Sequence, residues 1–408
     1  MGPRRLLIRF VTVLSVALVS YAPLAPPLAQ ATPDPAARPR WIQRIDAVVE
    51  GEPVSVVIAY GGQVLYHHKD WVARPPASNE KLLLSLALLD RLPSSTTLPL
   101  RALTTSAPVD GVIDGDVWIV GHGDPETGPS DMKALAAAIA AKGIHRIRGH
   151  VYGATGPFAR DWFAPGWKDY FPTYYIALPT ALTFEGNVGP TGRHISDPER
   201  RAAGSLTAQL EHAGVRVTRK PGLGPAPSKL KGLATIVSDP LVAMMKRMNT
   251  RSRNFYAEVF GKLLGSRRSG SPGTIAKGAR AIEAFASAHG VNVVANDASG
   301  LSYANRVTTT GIVKLLEFAE TRPWGVTLRD TLPKAGQGTL VDRFDGVRLR
   351  AKTGTLDEIS ALSGWVWLER VGDWAEFSIL SKGITKTHSM QIENAIVRAV
   401  SANASPPA

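Results

Sequence analysis

The sequence predicts an α/β protein in which one domain is interrupted by a mixed α/β insert. Two strand-like runs and one heavily apolar helix occupy residues 32–98. Short β-like runs broken by Gly, Pro and aromatic residues fill 99–235. Long helices, three strand-like runs and a last helix occupy 236–408. Two like ends around a different middle are what an insertion leaves behind, and 408 residues accommodate two or three domains of about 150 residues each. An apolar content of 44% is ample for a core.

Arg4, Arg5 and Arg9 lead into an apolar run from Phe10 to Val19, and Ala29-Gln30-Ala31 supplies an A-x-A site. This is the pattern of a secretory signal peptide over residues 1–31, cleaved after Ala31; the run is short for a membrane span, and an uncleaved anchor is the competing reading. "WIQRIDAVVEG" reads as a short helix. "VSVVIAY" and "QVLYHH" around Gly61-Gly62 read as a hairpin. From Leu82 to Leu89 nearly every residue is apolar, so this segment is a helix buried on most of its surface.

In the middle section, "DVWIVGHGD" and "RIRGHVYGA" are strand-like, and "DMKALAAAIAAKG" is a helix with Ser130 as its N-cap. "SLTAQLEHAGVRVT" is a helix followed by a strand, and "KPGLGPAPSKLKG" a loop at the module boundary. Four helical segments follow 236. Then "GVRLRAKTG", "ALSGWVWLE" and "AEFSILSKG" form strands, "HSMQIENAIVRAV" a helix, and "SANASPPA" a loose tail.

Composition excludes several functions. With no cysteine, disulfides, thiol nucleophiles and Cys-ligated zinc are ruled out. The nine histidines show no metal-ligand spacing, His67-His68 reading as surface residues, and no phosphate loop is present, so neither metal nor other cofactor is expected. The formal charge of +13 falls to +10 without the three arginines of residues 1–31. Such a surface suits loose association with anionic wall polymers or a membrane surface, or simply solubility. No basic run is interleaved with aromatics, which argues against nucleic acid.

Lys81 conflicts with its apolar helix. A lysine ammonium in a dry interior is costly unless it is paired or gives up its proton. Ser78 stands three residues earlier, on the same helical face. S-x-x-K is weak alone, and the chain has two more, at Ser130–Lys133 and Ser228–Lys231, but only the first opens a buried helix. Downstream, in order, come Ser252-Arg253-Asn254 between two helical segments and Lys352-Thr353-Gly354 on a strand-like run. S-x-x-K, S-x-N and K-T-G together form the set of penicillin-binding proteins and serine β-lactamases.

Each part has a chemical reason. A serine hydroxyl needs a base to become nucleophilic, and a lysine near its ordinary pKa of about 10.4 cannot serve. Burial and the charge of Lys352 are expected to lower the pKa of Lys81. Ser252 passes a proton to the leaving nitrogen, Asn254 holds Lys81 and the substrate amide, and Lys352 supplies a fixed positive charge for a substrate carboxylate. Gly354 lets the substrate backbone approach the strand edge beside Thr353. The backbone N–H groups of Ser78 and Thr355 form an oxyanion hole.

Around these motifs the chain resembles the D-alanyl-D-alanine carboxypeptidase/endopeptidase family of class C low-molecular-mass penicillin-binding proteins, peptidase family S13. "PASNEKLL", "APGW", "GQGTLVDRF" and "LRAKTGTL" match its patterns. "GHGDP" has His122 where the family has glycine, "SRNFYAE" has Arg253 for aspartate, and "NDASGLSYANRVT" has Ala298 for glycine. The likeness covers most of the mature chain. It implies a transpeptidase-like (serine β-lactamase-like) domain with helices on both sheet faces, split by an insert after the S-x-x-K helix. The short interval after "FEGN" implies that a second, smaller inserted module is missing or reduced. It implies a penicillin-sensitive serine carboxypeptidase, with possible endopeptidase activity, acting on peptidoglycan stem peptides ending in D-Ala-D-Ala, with β-lactams as covalent inhibitors and an exported location. Ser302, Asn305 and Thr308 are expected to brace the cleft. A serine β-lactamase and a non-catalytic peptidoglycan-binding protein are the alternatives.

Overall fold

The computed structural model describes residue 2 and residues 38–406, so the signal-peptide reading of 1–31 lies, but for Gly2, outside the described residues. Helix α1 (Arg40–Val49) buries Trp41, Ile45 and Val49, a stripe at intervals of four. Strands β1 (Val54–Tyr60) and β2 (Gln63–His68) form a hairpin whose turn glycines, Gly61 and Gly62, both have positive φ. A 3₁₀ turn over Ala77–Asn79 leads into α2 (Glu80–Arg91), which is buried without interruption from Glu80 to Leu89.

The chain then builds β3 (Pro99–Thr104), β4 (Val112–Ile113), β5 (Val117–Val120), α3 (Pro129–Ala140), β6 (Arg146–Ile147) and β7 (Val151–Ala154). These are followed by α4 (Phe171–Tyr174), α5 (Pro198–His212), β8 (Arg216–Val217), β9 (Gly222–Gly224) and β10 (Lys231–Val237). Five helices come next: α6 (Leu241–Arg251), α7 (Asn254–Ser269), α8 (Ile275–Ala288), α9 (Thr309–Glu320) and α10 (Gly325–Thr331). The chain ends with β11 (Leu349–Leu356), β12 (Ile359–Leu368), β13 (Asp373–Lys382) and α11 (Lys386–Asn403).

The main sheet has the order β11-β12-β13-β1-β2, with every neighbouring pair antiparallel. β1 and β12 are buried almost throughout, because helices cover both faces. One face packs against α2 and α6 to α9, with Trp365 fully buried between them; the other is covered by α1 and α11. A second sheet, β10-β3-β5-β7-β9, and a short parallel one, β4-β6-β8, share a separate apolar cluster with α3 and α5. Pro99 at the start of β3 is the register partner of Val237 at the end of β10. The excursion away from the main sheet therefore leaves and returns at one place, and the described residues from Arg40 onward pack as one unit.

Four local expectations change. Ser130 is exposed one residue inside α3; Gly128 caps that helix, with its N–H donated to Asp131 Oδ2 at 2.8 Å. The Pro/Gly segment after Lys220 contains β9, a sheet-edge strand. The tail is docked through Ala404, because α11 continues to Asn403 and Ser401 Oγ donates to Trp367 O at 3.0 Å. His67 is exposed, but His68 is half-buried. Among the described residues, no helix is long and apolar enough to cross a membrane.

α2 is buried from Glu80 to Leu89 without a break, so truncation of its side chains leaves cavities in the core. Leu84→Ala, at a side chain with no exposure, is expected to lower unfolding free energy by about 2–5 kcal/mol in chemical denaturation, without altering the secondary-structure spectrum of the folded protein.

Candidate active site

Ser78 lies in the 3₁₀ turn rather than in α2 itself. The preceding residue, Ala77, has φ of 45°, a left-handed conformation unusual for a residue with a Cβ. Two glycines hold this turn. A Cβ on Gly300 would lie 1.8 Å from Ala77 O, and a Cβ on Gly354 would lie 2.7 Å from Pro76 O and 3.1 Å from Ala77 Cβ. Only glycine lets both segments press this close to the serine-bearing backbone. The expectation for Gly354 is thus corrected: its missing side chain makes room for the turn, not for an incoming peptide.

One helical turn beyond Ser78, Lys81 has no solvent exposure, and its Nζ lies 3.0 Å from Ser78 Oγ. It also donates to Asn254 Oδ1 at 2.9 Å and to Ser299 O. Asn254 opens α7, and its Nδ2 donates to Tyr175 O at 3.2 Å, which fixes its oxygen toward the lysine. A neutral amine has two hydrogens and one lone pair. With the amide and carbonyl oxygens able only to accept, both hydrogens are committed and the lone pair faces the Ser78 hydroxyl.

Ser252 ends α6 in the left-handed region, φ 53°, and the break before α7 turns both Ser252 and Asn254 into the cleft. Lys352, on β11, donates to Ser252 Oγ at 2.9 Å and to Thr353 O at 2.8 Å. All five polar residues anticipated from the motifs therefore meet. Ser78, Ser252, Asn254, Thr353 and Thr355 line one cavity of about 600 Å³, and Lys81 and Lys352 are buried behind its wall. β11 is the edge strand of its sheet. The Ala351 N–H points outward, to Pro333 O at 3.1 Å, so by strand alternation those of Thr353 and Thr355 also point away from β12.

Electrostatics refine the expected roles. Burial lowers the Lys81 pKa to about 8, against Asp297, Glu258 and Glu80, which act to raise it. Burial also pulls Lys352 well below the ordinary lysine range, and the charges of Lys81 and Lys386 add to the effect. The picture of Lys352 as a fixed positive charge is therefore not what its surroundings favour.

The motif reading missed the carboxyl cluster beneath Lys81. Burial raises Glu80 well above its usual range and Glu258 to about 7. Glu258 Oε1 accepts from the backbone N–H of Ala298 and Ser299, and Asp297 accepts from Gly300 N, Ser302 N, Asn305 Nδ2 and Trp167 Nε1. This cluster holds the irregular loop segment whose Ser299 carbonyl meets Lys81. The available signal was the charge at Glu80, inside S-x-x-K, in an otherwise apolar helix. Asn305 bonds Glu80 and Asp297, Ser302 Oγ donates to Pro165 O, and Thr308 caps α9.

The three departures from the family pattern are accommodated locally. Ala298 is buried with its Cβ 2.6 Å from where one on Gly261 would stand, so glycine at 261 makes the room. The Arg253 guanidinium lies over the Tyr256 ring at 5.1 Å, and His122 Nδ1 lies 2.9 Å from Pro99 O.

Comparison with known proteins gives a family model match, D-Ala-D-Ala carboxypeptidase 3 (S13), over residues 45–194 and 181–403. A D-alanyl-D-alanine carboxypeptidase of Actinomadura sp. (strain R39) is 28% identical, the alignment covering 86% of this chain and 81% of the relative. A carboxypeptidase of Mycobacterium tuberculosis is also 28% identical, over 79% of this chain and 74% of its own length. The crystal structure of penicillin binding protein 4 from Haemophilus influenzae superposes with a TM-score of 0.77 at 19% identity, covering 88% of this chain and 99% of that one.

Two outcomes follow from this geometry. Gly300→Ala is expected to displace the Ser78 turn and reduce the rate of Ser78 acylation at least about 100-fold, measured by intact-protein mass against time. The base must be unprotonated, and a Lys81 pKa of about 8 leaves about a tenth of free molecules competent at pH 7. The acylation rate constant should therefore rise with pH and level off above an inflection near 8, measured as kcat/KM between pH 6 and 10.

Proposed function

We propose, from the premise that the chain belongs to the D-Ala-D-Ala carboxypeptidase 3 (S13) family, that its chemistry runs through an acyl-enzyme on Ser78. As a member of that family the chain is a serine-type D-Ala-D-Ala carboxypeptidase, a hydrolase. The roles of individual residues are our assignment, and the observation that carries it is the buried Lys81 amine 3.0 Å from Ser78 Oγ with its other partners both acceptors.

Neutral Lys81 takes the Ser78 proton as Oγ attacks the carbonyl of the penultimate D-alanine. The backbone N–H groups of Ser78 and Thr355 hold the resulting oxyanion; losing one such donor typically costs about 100- to 1000-fold in rate. The C–N bond then breaks as the proton held by Lys81 passes through the Ser252 hydroxyl, which Lys352 orients, to the leaving amine of the terminal D-alanine, and Lys81 is neutral again. Water attacks the ester, neutral Lys81 accepts its proton, and that proton returns to Ser78 Oγ as the acyl bond breaks, which restores both residues. The same steps cut a D-Ala cross-link when the amine belongs to a second peptide.

The stem peptide lies along β11 as an added strand, its main chain meeting the outward groups of Thr353 and Thr355. β-Lactams enter as acylating mimics; a solved structure of the H. influenzae protein with a β-lactam has a TM-score of 0.69 to this chain. The pattern of residues 1–31 supports export across the cytoplasmic membrane, and the basic charge of the chain favours loose contact with anionic wall polymers.

Incubation with penicillin is expected to give one adduct per chain, absent in Ser78→Ala, and incubation with purified muropeptides to release D-alanine. Equal acylation of the Ser78→Ala variant would defeat the assignment. An adduct that turns over within seconds would make the protein a β-lactamase instead. Binding of peptidoglycan with neither adduct nor D-alanine release would make it a wall-binding protein.

A further inference from the structure

We propose that Arg343 and Lys386 form the cationic subsite that receives the α-carboxylate of the terminal residue, so that specificity for a free C-terminal acid resides in this pair rather than in Lys352. The proposal rests on the acyl-enzyme reading above and concerns the same cleft.

Lys352 is fully buried, and its Nζ is already engaged by Ser252 Oγ and Thr353 O. Arg343 and Lys386, by contrast, line the cavity together with Thr339, Thr353 and Thr355. Arg343 is braced from behind. Its Nε and Nη2 donate to Asn394 Oδ1 at 3.0 and 2.8 Å, and Nη2 also donates to Glu393 Oε2 at 2.7 Å. Nη1 donates to no described residue, which leaves one end of the planar fork available to an incoming oxygen.

Lys386 approaches from the start of α11. Its Nζ donates to Ser360 Oγ at 2.7 Å, and that hydroxyl donates to Glu393 Oε1 at 2.6 Å. Ser360 is the register partner of Thr355, so the ammonium is held at the level of the strand residue assigned to the oxyanion hole. Two of the ammonium's three hydrogens have no described acceptor.

Two cations therefore share one carboxylate, Glu393, at this end of the cavity. The other charged groups of the wall are Asp357, bound to Lys168, and Glu358, which is exposed; both belong to the β11–β12 turn. Burial also lowers the Lys386 pKa, with Glu393 opposing it and Arg343 adding to it. A bound carboxylate removes this excess positive charge. The Thr353 hydroxyl, donated to Thr339 Oγ1 at 2.8 Å, lies in the same part of the wall and is a further polar partner.

The test compares kcat/KM for an N-acylated peptide ending in D-Ala-D-Ala with that for the same peptide as its C-terminal carboxamide. The wild type is expected to prefer the acid. Lys386→Met should reduce that preference at least about 10-fold, through a lower rate on the acid and not on the carboxamide, and Lys386→Arg should retain it. Arg343→Lys, which keeps the charge beside Glu393 but not the fork, tests the second cation and should also weaken the preference. An unchanged acid-to-amide ratio in Lys386→Met, or an equal loss on both substrates, overturns the proposal while wild-type acylation of Ser78 leaves the parent reading standing. Absence of Ser78 acylation in the wild type overturns both.

Discussion

The contact on which the structure depends is that between a buried lysine amine and a serine hydroxyl 3.0 Å away. Neither is special in water, where the lysine keeps its proton and the serine is unreactive. Solvent exclusion lowers the lysine pKa, and Asn254 and Ser299 together decide which way its lone pair points. Much of the main domain serves that arrangement: α2 supplies the lysine, the α6–α7 break supplies Ser252 and Asn254, and the segment after α8 supplies the Ser299 carbonyl.

Tight packing around the Ser78 turn is the structural counterpart of this chemistry. Gly300 and Gly354 approach the turn from two sides, and Ala77 keeps a left-handed backbone between them. Strain of this kind persists only where surrounding structure over-determines it. Glu258 and Asp297 provide that determination from below, accepting the backbone N–H groups of residues 298, 299, 300 and 302, while Glu80 accepts from Asn305 Nδ2. Burying such groups is expensive, and it is tolerated because they order the segment that directs the lysine.

The fold class and the family were legible because they rest on local signals: alternation in the strands, a solidly apolar helix and three short motifs in order. The roles of the glycines and of the carboxyl cluster were not. The approach of Gly354 to Pro76 joins residues far apart in the chain, and no periodicity reports such a contact. Glu258 and Asp297 likewise read as ordinary charges until tertiary packing removes water from them. The N-cap of α3 was misplaced because Pro129 and Asp131 shift the helix start to Gly128, and the docked tail was misread because polar composition conceals the burial of Ser401 and Ala404.

The pairing of β1 with β13 brings Val54 against Ser381 in the middle of the main sheet. Early and late portions of the polypeptide thus complete each other, and no partial product of the ribosome can assemble that layer. Contacts of such long range form slowly. A nascent chain of this topology therefore cannot complete its main sheet until nearly its whole length has been made.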